Sequence, residues 1–350
     1  MRVVVQTDLG ARGEAWDELV GRQPLPSPFL LSWWVPTAAG AAPSVLLCLD
    51  GDRLVGGAAF EVDRIGRGPA SLERVRSLGQ GTLAPDHLDL IAEPDHADHV
   101  RDRVLGWLRR PGSRMVDLDG LAADGRLARA LASFEIERTG APWAPLPDDA
   151  ATYLADRKGQ VRSTIGRSRK RMEKAGVTSR RVPAGDAGPA LDALARLHDG
   201  RWSDDSAFLG GWERFRRAAE VGMSSGAVVV HELVGPDGDV IATELDLVAG
   251  DRMAFYQAGR STDREWRGAG SVLKADVIGQ AIADGDREYD LLRGDESYKS
   301  DWASERRELV RVRFGVGPIG RTVVAGAAGW RRAAPFVERA RERLSGPGAS

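Results

Sequence analysis

The chain has 350 residues and a single cysteine, Cys48. One thiol excludes an internal disulfide and any cysteine cage for a metal, and it fits a reducing cytoplasm. Cys48 lies in an apolar run, Val45 to Leu49, that reads as a buried strand and not as the surroundings of a nucleophile. Histidine is scarce too. His87, His96 and His99 stand near Asp95 and Asp98, but their spacing matches no zinc signature and helical phase scatters them. No metal is therefore expected. No apolar run approaches the ~20 residues of a membrane span. The start, Met1 to Asp8, turns polar too soon for a signal peptide. The net charge of −2 argues against general nucleic-acid binding. These absences leave a cytoplasmic globular protein, long enough for two domains.

The charge that is present is unevenly placed. Residues 1–150 carry a net −6 and the remainder +4. Lysine supplies only five of the 49 basic residues, so arginine dominates. The segment 157–181 holds Arg157, Lys158, Arg162, Arg167, Arg169, Lys170, Arg171, Lys174, Arg180 and Arg181 against one acid, Glu173. Such density reads as an anion-facing surface. Aromatic residues are absent from it, which weakens an RNA reading.

Both halves read as mixed α/β. In the first, strands are expected at Arg2–Gln6, Ser44–Asp50, Arg53–Glu61, His87–Ala92 and Met115–Leu118. Helices are expected at Asp95–Arg110 and Gly125–Ser133. Strand Glu135–Thr139 follows, and the three prolines of Gly140–Pro147 read as a linker. The second half offers helices at Gln160–Ala175, Pro189–Trp202 and Trp212–Val221. Its strands are expected at Val177–Val182, Ala227–Val234, Val240–Val248, Arg252–Gln257, Glu288–Leu292 and Leu309–Gly315. A basic helix, Thr322–Leu344, closes the chain.

Two signals carry chemistry. The first is a strand, a short turn and an amphipathic helix: Arg252–Gln257, then Arg267-Gly268-Ala269-Gly270-Ser271, then Leu273, Val277 and Ala281 on one stripe. A helix start leaves unpaired N–H groups, and the helix dipole makes them attractive to an anion such as a pyrophosphate. The glycines permit close approach and Arg267 adds charge. In the first half the corresponding place holds Ala92-Glu93-Pro94-Asp95, whose carboxylates repel phosphate. One cofactor site is therefore expected, in the second half. The second signal is the burst of polar residues after strand 288–292: Asp290, Arg293, Asp295, Glu296, Tyr298 and Lys299. Ligands in open α/β sheets bind beyond strand ends of this kind.

Arg267-Gly268-Ala269-Gly270 resembles the acyl-CoA pyrophosphate loop of the GNAT acyltransferases. Gly294-Asp295-Glu296-x-Tyr298-Lys299-x-x-Trp302 is similar to the subgroup related to the cellulose-biosynthesis protein CelD, as is Leu197-His198-x-x-Arg201-Trp202. The run from Arg162 to Val177 resembles both that subgroup and the Fem-type aminoacyl transferases. The match covers residues 140–315 well and the first 140 loosely. It implies two tandem GNAT-like domains, each a mixed, mostly antiparallel sheet flanked by helices. They span 1–140 (degenerate) and 141–318 (binding acyl-CoA), with a C-terminal helix and tail at 319–350. It also implies transfer of an acyl group, acetyl foremost, to an amine of a small-molecule, sugar, peptide or cell-envelope precursor. The alternatives are a Fem-like transferase using aminoacyl-tRNA and a non-catalytic pathway module.

Direct transfer to an amine needs a carboxylate for the amine's proton and an acid for the departing thiolate. Glu244 and Asp246 share one strand face, with Leu245 and Leu247 on the other. Asp290 and Asp295 are further candidates. Tyr298 matches by position the tyrosine that serves as the acid in GNAT enzymes, and Lys299 is a candidate partner for phosphate or an acidic substrate. The expected catalytic set is Glu244, Asp295, Tyr298 and Lys299. The expected substrate set is Arg162, His198, Trp202, Asp246, Tyr256 and Asp290.

Overall fold

The computed structural model describes residues 1–68, 71–202 and 210–326, with the side chains of 199–202 outside that description. Among the described residues, thirteen strands form one sheet. In the first half these are β1 (Arg2–Gln6), β2 (Ala42–Asp50), β3 (Arg53–Ile65), β4 (Leu72–Ser77), β5 (Ile91–Ala92) and β6 (Arg114–Ala122). β7 (Glu135–Pro145) leads into the second half: β8 (Thr178–Arg181), β9 (Val228–Val234), β10 (Val240–Ala249), β11 (Arg252–Arg260), β12 (Glu288–Asp290) and β13 (Glu305–Val316). The helices are α1 (Gly13–Gly21), α2 (Ala97–Leu108), α3 (Arg126–Ala130), α4 (Ala150–Ala155), α5 (Gly159–Lys174), α6 (Ala187–Trp202), α7 (Trp212–Ser225) and α8 (Ala269–Asp284). A further helix runs from 317 to 326, where the description ends. The fold is thus a mixed α/β one with a large, mostly antiparallel sheet flanked by helices.

The strand order is β1-β2-β3-β4-β6-β13-β7-β12-β11-β10-β9-β8, with β5 on β3. Read from its two ends, the sheet repeats one pattern. Antiparallel strands lead inward to a parallel pair, β4 with β6 in one half and β11 with β12 in the other. An antiparallel seam of β13 and β7 joins the halves. The two have exchanged places: β13, from the chain's end, pairs with β6, and β7 pairs with β12.

The expected linker Gly140–Pro147 is corrected here, because β7 runs unbroken to Pro145. Pro142 has no N–H to give, but its carbonyl accepts from Leu291 N at 2.9 Å. Pairing on both sides overrides the proline signal. The expected strand His87–Ala92 is also shorter: only Ile91–Ala92 forms a strand, and Leu88 makes an isolated bridge to Leu121. β4 and α1 were not read from the sequence.

Alternation along β10 divides the second half's environment. Leu245 and Leu247 belong to the large core shared with α6, α7 and the first half. Full burial of a leucine contributes about 1.5–3 kcal/mol. Glu244 and Asp246 face the other way, towards α8. That helix contributes Val272, Leu273, Val277, Ile278 and Ala281 to a second core with Met253 and Tyr289. Gly285, at φ +94°, ends it in the left-handed region that glycine tolerates.

Candidate active site

The site arises where two strands part. β11 pairs with β12 only from Arg252 to Ala254, yet continues to Arg260. The register against β10 jumps from Leu245–Gln257 to Asp246–Phe255, a bulge that leaves Tyr256 without an opposite residue. Beyond the bulge a wedge opens between the strands. A cleft of ≈ 450 Å³ fills it, lined by Phe255, Ala258, Gly259 and Arg260 of β11, by Arg267, Gly268, Gly270 and Ser271, and by Glu244, Lys274, Tyr298 and Trp302. Lys158 and Asp301 also line it and pair at 3.1 Å.

The glycine-bearing turn lies at this cleft. Gly268 is the N-cap of α8 at φ +89°, and no side chain caps the helix. Its carbonyl accepts from Ser271 N and Val272 N, both at 3.1 Å. Helix geometry gives Ala269 N and Gly270 N no acceptor within the helix. Arg171 of α5 holds the Arg267 carbonyl. The notch is thus built from backbone donors at a positive dipole end, beside a guanidinium. These residues fit a pyrophosphate.

Under the cleft is a buried polar chain. Lys274, one turn into α8, donates to Glu244 Oε1 at 2.8 Å. Tyr289 of β12 lies with its hydroxyl 2.7 Å from Glu244 Oε1 and 2.9 Å from Asp246 Oδ1. The Lys274 ammonium also sits 3.5 Å from the centre of the Phe255 ring, a cation–π contact. Burial raises the Asp246 pKa well above the usual carboxylate range, and the charge of Glu244 adds to the effect. Burial likewise pushes the Tyr289 phenol up. Lys274 and Tyr289 were missed in the sequence. A lysine on the apolar stripe of a helix was the available signal, since it must find a buried partner.

The remaining candidates scatter. Tyr298 lines the cleft and is 38% exposed. Asp295 lies out on the surface and pairs with Arg306. Lys299 is buried, donating to the Leu292 and Arg293 carbonyls and pairing with Glu296 at 3.0 Å, so it ties its own loop together. Arg162 is exposed and donates to the Ala155 carbonyl. His198 is buried, with Nδ1 3.4 Å from the Ala258 carbonyl. Trp202 ends α6, and its side chain lies outside the described residues. Tyr256 points away from the cleft into the shared core, where its hydroxyl donates to the Leu83 carbonyl at 2.8 Å. Asp290 is fully buried between the halves, 2.7 Å from Arg252 Nη2 and 2.8 Å from His87 Nε2. Burial opposes its charge, but His87 and Arg252 outweigh burial and hold the carboxyl below the ordinary range. Arg293 bridges to Asp86 and, at 3.0 Å, to Asp119. These last groups clamp the two halves.

The first half has the matching wedge between β4 and β6, and its own chain plugs it. Leu88 N donates to the Gly120 carbonyl at 2.9 Å and the Leu88 carbonyl accepts from Ala122 N at 3.0 Å. Among the described residues, no group of three or more His, Cys, Asp or Glu is placed to hold a metal. Nor is any helix among them long and apolar enough to cross a membrane.

Comparison with known proteins agrees with this geometry. Residues 159–300 match the acetyltransferase (GNAT) domain family. No curated protein sequence matches the chain. Among solved structures, FemX superposes with a TM-score of 0.63 at 10% identity, over 89% of this chain and 97% of that one. A conserved protein of unknown function from Bacteroides thetaiotaomicron gives 0.60 at 10% identity, over 89% and 99%. The C-terminal domain of a putative lysylphosphatidylglycerol synthetase from Agrobacterium fabrum gives 0.56 at 13% identity, over 91% and 95%. Residues 159–300 thus match the GNAT domain family, and the chain as a whole shares its fold with FemX.

Proposed function

We propose that this protein is an N-acyltransferase that moves an acyl group, acetyl foremost, from acyl-CoA to an amine by direct attack. One observation supports this reading most: an uncapped helix start with a left-handed glycine opens on the wedge that, among the described residues, is left as a cleft. Bound acyl-CoA supplies an activated thioester. The chain's own groups do the rest. Ala269 N, Gly270 N and Arg267 hold the diphosphate. Phe255, Leu273 and Trp302 keep water from the acyl end.

Both hydrogen bonds to Glu244 fall on Oε1, which leaves Oε2 to take the amine's proton. Tyr298, which lines the cleft, gives a proton to the departing thiolate. The acceptor is a small molecule, sugar, peptide or cell-envelope precursor carrying an amine.

Melting in the presence of coenzyme A or acetyl-CoA tests the reading. A cosubstrate at 100-fold its Kd adds about 2.7 kcal/mol of stability. Gly270→Glu and Arg267→Glu should abolish that gain. An unchanged melting curve of the parent at saturating cosubstrate would overturn the proposal.

A second reading, aminoacyl-tRNA as donor, is favoured by the basic run on α5 and β8. Part of that charge is already engaged, since Arg169 pairs with Asp276, Arg180 with Glu232 and Arg181 with Asp284. Activity that survives ribonuclease removes this alternative.

A further inference from the structure

The polar chain beneath the cleft contains more acceptors than its donors can serve if every carboxyl is ionised. Tyr289 has one hydroxyl proton and lies within hydrogen-bond distance of two carboxyl oxygens. Lys274 reaches Glu244 Oε1 and, at 3.2 Å, the Tyr289 oxygen. Two carboxylates would then share one ammonium, with Asp246 Oδ2 fully buried and partnerless. An anionic oxygen in that position is costly, whereas the carbonyl oxygen of a neutral acid is far less so.

Among the described residues, Lys274 is the cation that acts on Asp246. In the sheet register Asp246 stands opposite Val229 of β9 and Phe255 of β11. His231 of β9 lies opposite Glu244, and burial keeps its imidazole neutral, with its pKa lowered to about 4. Asp286, in the turn after α8, adds negative charge.

We infer that Asp246 carries a proton in the resting protein and donates it to the Tyr289 oxygen, while Tyr289 and Lys274 both donate to Glu244 Oε1 and so fix that side chain at the cleft. The order of donation is then unique. Asp246 gives to Tyr289, Tyr289 gives to Glu244 Oε1, and Lys274 gives to the same oxygen. Asp246 and Tyr289 are positioning residues: neither lines the cleft, and each acts through Glu244. This rests on Glu244 being the base of the proposed reaction only for its meaning. The proton's location is a property of the protein alone.

Infrared spectroscopy of the protein without any cosubstrate locates it. A neutral carboxyl shows a C=O band that carboxylates lack. The difference spectrum between the parent and Asp246→Asn should contain such a band at pH 7. It should shift when the parent is labelled with carbon-13 at aspartate carboxyls and stay in place with labelled glutamate. Tyr289→Phe should move it to higher frequency, because the acid loses its acceptor. No acid band in that difference spectrum, or one that moves only with the glutamate label, overturns the inference. Should Asp246→Asn fail to fold, the parent's labelled spectra and the Tyr289→Phe shift decide alone. Coenzyme A takes no part, so failure of the acyl-CoA reading leaves this test intact.

Discussion

A β-carbon added to Gly268 would lie 2.4 Å from Ser168 Oγ, so α5 sets how closely the start of α8 is held. At φ +89° any L-residue other than glycine is strained as well, by about 1–2 kcal/mol. Gly268→Ala should lower stability by at least that amount in denaturant titration. It should also weaken coenzyme A binding about tenfold or more in calorimetry, because the N–H donors lose their aim. Adding Ser168→Gly should recover the part due to the clash and not the part due to φ. Parent-like affinity in Gly268→Ala would show that the notch does not hold the diphosphate.

Lys274 and Glu244 form a buried ion pair, and removing one partner strands the other. Lys274→Met should cost about 3–5 kcal/mol, far more than a surface pair would. Replacing both, Lys274→Met with Glu244→Gln, should restore most of that loss. A double-mutant cycle measures the coupling. Additive losses would mean that the two side chains do not depend on each other.

The helix start at Gly268 and the face shared by Glu244 and Asp246 were legible in the sequence because local rules govern them. A helix start and a period of two need no tertiary information. The partners of those acids were not legible. Lys274 and Tyr289 come from α8 and β12, and only packing of the helix on the sheet brings them together. The strand exchange was hidden for the same reason. Nothing local tells β13 to pair with β6 of the first half, and the prolines of β7 argued for a linker. Tyr256 was misplaced by the bulge: a sequence reading cannot see that the register slips there and which face the tyrosine takes.

His231 makes the protein sensitive to acid. Burial, with Arg181 nearby, lowers its pKa from 6.5 to about 4. Between those values the unfolded chain binds a proton that the folded chain does not. Stability therefore falls as pH drops from 6.5 towards 4, by up to about 3 kcal/mol for this one group. His231→Leu should flatten that slope, since neither ring nitrogen has a hydrogen-bond partner to lose. Urea midpoints for both proteins at pH 4.5 and pH 7.5 test this. An unchanged pH dependence would show that His231 is not buried in its neutral form.

The plugged wedge of the first half should be structural and nothing more. Gly120 sits at φ +77°, and a β-carbon there would lie 2.1 Å from the Pro85 carbonyl oxygen and 2.6 Å from Arg293 Nη2. Gly120→Ala must therefore push the plug out or tilt the Arg293 clamp, on top of the left-handed strain. A loss of about 2 kcal/mol or more is expected by denaturant titration. Arg293 follows β12, whose Tyr289 bonds Glu244 beneath the cleft, so the test is whether the damage travels. If the closed wedge only supports the fold, the folded variant should bind coenzyme A within about threefold of the parent, since β13, β7 and β12 stand between β6 and β11 in the sheet. A proportionate fall in affinity would instead mean that the two wedges act as one unit through the β13–β7 seam.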